Sequence, residues 1–161
     1  MKTAMKTFYD YYNNEVKLSF DDHPFSKQPK HVWVICRYGS QWLLTKHKDR
    51  GIEFPGGKVE EGETAEDAAH REVKEETGAK IKKLNYLGQY HVAGKGGTII
   101  KNIYFALIEG IYQQHHYFET AGPVLLDSIP DNISKDKRFS FMMKDGVLPN
   151  SLEQIIKLQM L

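Results

Sequence analysis

Apolar residues along this chain fall mostly in short runs that alternate with polar ones, the period of two that marks strands. Glu15 to Phe20 alternates in this way and predicts a strand. Asp21 to Lys30 is polar, contains Pro24 and Pro29, and predicts a connecting loop. His31 to Arg37 is β-branched and aromatic, as a central strand is. Gly39-Ser40 then predicts a hairpin turn into Gln41 to Thr45, and Ile52 to Phe54 a short extended piece that stops at Pro55. Lys80 to Val92 predicts one or two strands with a bulge at Gly88. Gly94-Lys95-Gly96-Gly97 predicts a turn and Thr98 to Ile108 a second long strand. Gln113 to Thr120 reads as a polar, aromatic loop and Val124 to Leu126 as a short strand. Ser134 to Lys144 fits either helix or loop.

Two stretches carry helical signals instead. Thr64 is followed three residues later by Asp67, which resembles a capping box, and Gly78 stands where a helix would end in a left-handed residue. These bracket a helix of roughly 13 residues, close to the globular mean. Ala65, Ala68 and Ala69 share one face, and the same stripe continues to Glu72, Glu75 and Glu76. Glu66, Asp67, His70 and Lys74 lie opposite, with Arg71 to one side. A solvated acidic helix would place its glutamates opposite the alanines, not in line with them. Carboxylates gathered this closely repel, and a divalent cation with a phosphate-bearing substrate accounts for them. Near the C-terminus, Ser151-x-x-Gln154 resembles a second capping box, opening a helix with Leu152, Ile155, Ile156 and Gln159 on one side. Strand runs on both sides of a central helix, with another helix at the end, predict an α/β or α+β sandwich. At 161 residues the expectation is one domain, 1–161.

Composition narrows the function classes. Hydrophobic content is 40% and charged content 27%, ordinary for a globular protein. With 22 Lys+Arg against 21 Asp+Glu the net charge is +1, which excludes a strongly basic nucleic-acid-wrapping protein but not a local basic groove. The single cysteine, Cys36, allows no intrachain disulfide and sits in an apolar run, where a buried structural thiol is expected. No apolar run reaches the ~18 residues of a membrane helix. Met1 to Asp10 lacks the apolar core of a secretory signal, so the expected location is the cytoplasm. The glycine turn 94–97 lacks the spacing of a phosphate-binding loop.

The segment Gly57-x5-Glu63-x7-Arg71-Glu72-Val73-x-Glu75-Glu76-x-Gly78-Ala79 resembles the Nudix box, with Ala79 a small residue in the final hydrophobic slot. Glu53-Phe54-Pro55-Gly56-Gly57-Lys58 resembles the lead-in to that box. The resemblance implies a mixed sheet packed between helices, with the box as loop–helix–loop, and hydrolysis of a phosphoanhydride bond with Mg²⁺, for which Mn²⁺ is chemically similar. It implies Glu72, Glu75 and Glu76 as metal carboxylates and the Gly56 carbonyl as a backbone ligand. Arg71 is expected to orient a glutamate, either Glu53 or Glu63. Lys30 to Arg37, Asp49-Arg50-Gly51 and Phe118-Glu119-Thr120-x-Gly122-Pro123-Val124 are similar to YtkD-type proteins of bacilli. That likeness implies nucleoside triphosphate substrates, 8-oxo-dGTP and dGTP among them, or else removal of pyrophosphate from triphosphorylated RNA 5′ ends. It also implies Glu119 as general base, with Glu109 the alternative. Arg37, Lys58 and Lys101 are candidates to meet phosphate; Tyr38, Tyr90, Tyr104, Phe139 and Phe141 are candidates to stack a base. No membrane contact and no obligate protein partner are implied. A Nudix-fold sensor that binds a nucleotide without cleaving it would ordinarily show an eroded box, and this box is intact. A calcium-binding helix is disfavoured because the alternating Asp/Asn loop of an EF-hand is missing.

Overall fold

The computed structural model describes residues 4–161. Nine strands form one mixed sheet: β1 (Lys6–Tyr9), β2 (Glu15–Ser19), β3 (His31–Tyr38), β4 (Gln41–His47), β5 (Gly51–Glu53), β6 (Gly56–Lys58), β7 (Ala79–Gly94), β8 (Gly97–Ile111) and β9 (Thr120–Leu126). The order is β1-β2-β7-β8-β3-β4-β5, with β6 paired to β3 and β9 to β4. The β3–β8 pair is parallel and the others are antiparallel. Among the described residues there are two α-helices, α1 (Ala65–Thr77) and α2 (Val147–Lys157).

Strict alternation along β3 divides the interior into two cores, one on each face of the sheet. Val32, Val34 and Cys36 pack with Ala68, Ala69 and Val73 of α1. Trp33 and Ile35 pack with Val147, Leu148 and Ile155 of α2. The sheet therefore lies between the helices, as the sequence pattern and the Nudix resemblance predict. Burial drives the Cys36 thiol far above its ordinary pKa, as suits an inert core residue.

Helix α1 has the predicted bounds. Thr64 Oγ1 accepts from the Asp67 N–H at 3.0 Å, Asp67 Oδ2 accepts from the Thr64 N–H at 3.1 Å, and Gly78 closes the helix at φ 75°. Gly88 does mark a register shift, within one continuous strand, β7. Ser134 to Lys144 is loop with two short 3₁₀ turns, Phe141–Met143 and Ile133–Lys135, the latter starting one residue earlier.

The terminal helix departs from expectation. It starts at Val147, four residues before Ser151, which is buried inside it. Asp145 Oδ1 accepts the Val147 N–H at 2.9 Å and so meets one of the donors left free at a helix start. Pro149 falls in the first turn, where its missing N–H costs nothing. The buried face is consequently Val147, Leu148, Ser151 and Ile155, while Ile156 is 64% exposed and Gln159 lies beyond the end. Strands β1 and β6 carry little sequence signal: β1 is an edge strand of four residues, and β6 is Gly-Gly-Lys held by its pairing with β3.

Candidate active site

The C-terminal half of α1 faces β6. A Cβ on Gly57 would lie 2.6 Å from the Glu72 carboxyl carbon, so only glycine leaves that carboxylate room against the strand. The Gly56 N–H donates to Glu76 Oε1 at 3.1 Å. Arg71 binds Glu63 through Nε at 2.7 Å and Nη2 at 3.0 Å, Glu72 at 2.7 Å, Glu75 at 3.2 Å and the Lys58 carbonyl at 2.9 Å. Of its two expected partners it thus takes Glu63. Glu53 is buried and pairs instead with Arg50, Nε to Oε1 at 3.0 Å and Nη2 to Oε2 at 2.9 Å. Arg50 lies in a segment the sequence analysis noted only for its family likeness; an arginine three residues before a glutamate in a buried strand is the signal that was available.

These groups open onto a cavity of about 770 Å³. The carboxylates Glu72, Glu75, Glu76 and Glu119 line it together with Lys58, Lys101 and His31, the last of which sequence patterning did not single out. Phe118, Phe141 and Met142 give the cavity an apolar side. His47 also lines it, and its Nδ1 accepts the N–H groups of Asp49 and Arg50 at 3.1 and 3.2 Å, fixing the turn that presents Arg50.

Glu119 occupies the left-handed region at φ 60°, an uncommon conformation for a side-chain-bearing residue. Its neighbourhood is tied directly to α1. The Phe118 N–H donates to the Glu75 carbonyl at 3.3 Å, while the Thr120 and Thr45 hydroxyls reach the Glu76 carbonyl at 3.1 and 3.0 Å. The Lys48 N–H donates to the Glu119 carbonyl at 3.2 Å. Main-chain carbonyls that a helix end leaves without partners are thereby satisfied by the segment that carries Glu119.

Other expected residues lie elsewhere. Arg37 stacks over the Trp42 ring at 4.4 Å and lines a separate depression with Asp127. Glu109 pairs with Lys80 at 3.3 Å and is not part of the cavity wall. Tyr90, Tyr104 and Phe139 are buried, Tyr38 is exposed away from the cavity, and Phe141 alone of the five stacking candidates lines it.

The electrostatics fit a cation. Burial, then repulsion from Glu72, pushes the Glu76 carboxyl well above the ordinary carboxylate range, and burial raises Glu72 as well. Two buried carboxyls that resist ionising together are the donor set a hard divalent ion would relieve. In the same cavity, burial lowers the Lys101 ammonium to about 8.

Residues 26–135 match the family model for the NUDIX domain. The chain belongs to the Nudix hydrolase family, and it is a pyrophosphohydrolase of that family. Nudix hydrolases generally use divalent metal ions. The chain is 65% identical over 151 residues to YtkD of Bacillus subtilis (strain 168), which carries the name of an 8-oxo-dGTP diphosphatase; the match spans 94% of this chain and 96% of that one. A crystal structure of the B. subtilis pyrophosphohydrolase BsRppH, in mutant form, is similar at a TM-score of 0.95 and 63% identity, covering 96% of this chain and 98% of that one. A NUDIX hydrolase from Nitrosomonas europaea shares the fold at a TM-score of 0.65 and 20% identity, over 84% of this chain and 96% of its own.

Proposed function

We propose that this chain is a Mg²⁺-dependent hydrolase that removes pyrophosphate from nucleoside triphosphates of the dGTP and 8-oxo-dGTP type. The observation that carries this is one cavity lined by both carboxylates and lysines, in a chain closely related to a protein named for that activity. Glu72, Glu75, Glu76 and the Gly56 carbonyl would hold the ion, and Mn²⁺ suits the same oxygen donors. When bound, the ion supplies neutralising charge for the phosphates and lowers the pKa of water. Arg71 positions Glu72 and Glu75 through its grip on Glu63. Glu119 takes the proton of the attacking water, and Lys58 and Lys101 hold phosphate oxygens.

A second reading, a triphosphorylated RNA 5′ end as substrate, is favoured by the aromatic rim. Tyr12 packs on Phe141 at 4.8 Å between centroids, and Lys144 lies over Tyr11 at 5.6 Å, a surface suited to stacked bases of a single strand. No helix among the described residues is long and apolar enough to cross a membrane, and the buried lone thiol suits a reducing compartment, so we infer a cytoplasmic location. The test compares kcat/KM for dGTP, 8-oxo-dGTP and a short triphosphorylated RNA in one assay, with Glu72→Gln as control. Glu72→Gln should abolish turnover and keep the fold; activity like the parent in that variant would overturn the proposal. A kcat/KM at least tenfold higher for the RNA would select the second reading.

A further inference from the structure

Three nitrogen-bearing side chains stand in a row across the sheet. His31 on β3 is directly opposite Lys58 on β6 and directly opposite Lys101 on β8. Directly paired positions send their side chains to the same face, and all three residues line the cavity. They are 27 and 43 residues apart along the chain (58 − 31 and 101 − 58), so only strand pairing brings them together. The two lysines therefore flank His31 from either side. Among the described residues neither forms an ion pair, although Lys101 lies over the Tyr90 ring at 5.7 Å and Glu53 and Asp145 act on it at longer range.

His31 adds an independent observation. Its Nδ1 is buried and has no hydrogen-bond partner. A proton on Nδ1 would bury an unmet donor, so the neutral ring carries its proton on Nε2. Burial and the two neighbouring lysines lower the pKa of His31, which keeps the ring neutral. The row therefore offers two ammonium groups and one N–H, and its one acceptor, the His31 Nδ1, is buried and meets none of them.

We propose that His31, Lys58 and Lys101 form a phosphate seat in which the His31 Nε2–H binds a phosphate oxygen between the two lysines. The seat deepens the hydrolase assignment above and rests on it. Two parts of a substrate carry this chemistry: the terminal phosphates of a triphosphate, and the diester joining the first two nucleotides of an RNA.

The experiment uses the full chain with Mg²⁺ and the variants His31→Ala and His31→Gln, the latter keeping an N–H near the Nε2 position. Calorimetric titration with inorganic pyrophosphate is paired with KM measurements for GTP and for a triphosphorylated dinucleotide. If the seat takes terminal phosphates, His31→Ala weakens pyrophosphate binding and raises both KM values by about tenfold, the scale of a hydrogen bond to a charged acceptor, and His31→Gln recovers most of the loss. If it takes the diester, the KM for the dinucleotide alone rises. Unchanged pyrophosphate binding with both KM values unchanged overturns the seat. A Gln variant no better than Ala, with an equal loss of thermal stability, also overturns it and leaves His31 a packing residue. Should the parent chain release pyrophosphate from neither substrate, the hydrolase assignment fails, while titration with pyrophosphate and with the triphosphorylated dinucleotide still decides the seat: a loss for His31→Ala with either ligand supports it, and no loss with both overturns it.

Discussion

Replacing Arg71 with alanine removes one guanidinium from a group of carboxylates. The side chain is 21% exposed and makes four contacts to Glu63, Glu72 and Glu75 between 2.7 and 3.2 Å, plus one to the Lys58 carbonyl. A hydrogen bond to a charged group contributes roughly 1.5–3 kcal/mol, but the contacts are not additive and the carboxylates can turn toward solvent. A net loss of about 3 kcal/mol is reasonable, at the low end for breaking a buried ion pair. For a chain of this size that lowers Tm by roughly 6–12 °C. The diagnostic part is metal dependence. A cation held by Glu72, Glu75 and Glu76 supplies charge that Arg71 otherwise supplies, so the deficit should be largest in chelator and shrink by about half in saturating Mg²⁺. Arg71→Lys should recover only part of the loss, since one ammonium cannot reproduce the paired bonds to Glu63. Thermal unfolding of the three proteins with and without metal gives the answer. An equal deficit in both conditions, or a stable Arg71→Ala protein in chelator, would refute the link between Arg71 and the carboxylates proposed to hold the ion.

Glu119→Gln, with metal saturating, should lower kcat/KM at least about 10²-fold; a fall of less than about tenfold removes Glu119 as the base. Gly57→Ala forces the Glu72 carboxylate aside and should cost about tenfold in kcat with only a few degrees in Tm, and a parent-like kcat would show that Glu72 yields freely. Burial raises the Asp145 carboxyl from 3.8 to about 6, so protonation favours the fold; this contribution is complete below about pH 4 and is lost as pH rises through about 6. Asp145→Asn should therefore stabilise the chain at pH 8, by at most about 3 kcal/mol in denaturant titration, and bring little gain at pH 4; equal gains at both pH values would contradict the assignment.

Local chemistry explains which parts could be read from sequence. Thr64, Asp67 and Gly78 cap α1 with contacts inside the segment itself, so its bounds and its line of glutamates follow from spacing alone. Ser151 misled because a capping pattern has no force where an upstream aspartate already starts the helix, as Asp145 does for α2. The pairing of Arg71 depended on whether β5 or the β6–α1 loop came nearer, which is a tertiary question; the answer frees Glu53 for Arg50. Arg37 looked equivalent to Lys101 as a cation on a strand, yet it lies at the far end of β3, over Trp42. His31 joins Lys58 and Lys101 only through the register of three strands, and no single-segment pattern records a register.

The hydroxyl and amide contacts between α1 and the segment 118–120 bear on how the molecule can open. Exposed loops ordinarily make the lowest-energy local openings, separately from the helices beneath them. Here, lifting the segment off its seat would remove the Phe118 N–H from the Glu75 carbonyl and one of two hydroxyls from the Glu76 carbonyl, which Thr45 on β4 still reaches, so loop and helix end should open as one cooperative unit. Amide exchange at Phe118 should then be slower than its place in a polar loop suggests, and should follow that of the last turn of α1. At the other rim, the 3₁₀ turn of Phe141 and Met142 makes no hydrogen bond to α1 among the described residues, so that side can give way to a larger substrate without disturbing the helix.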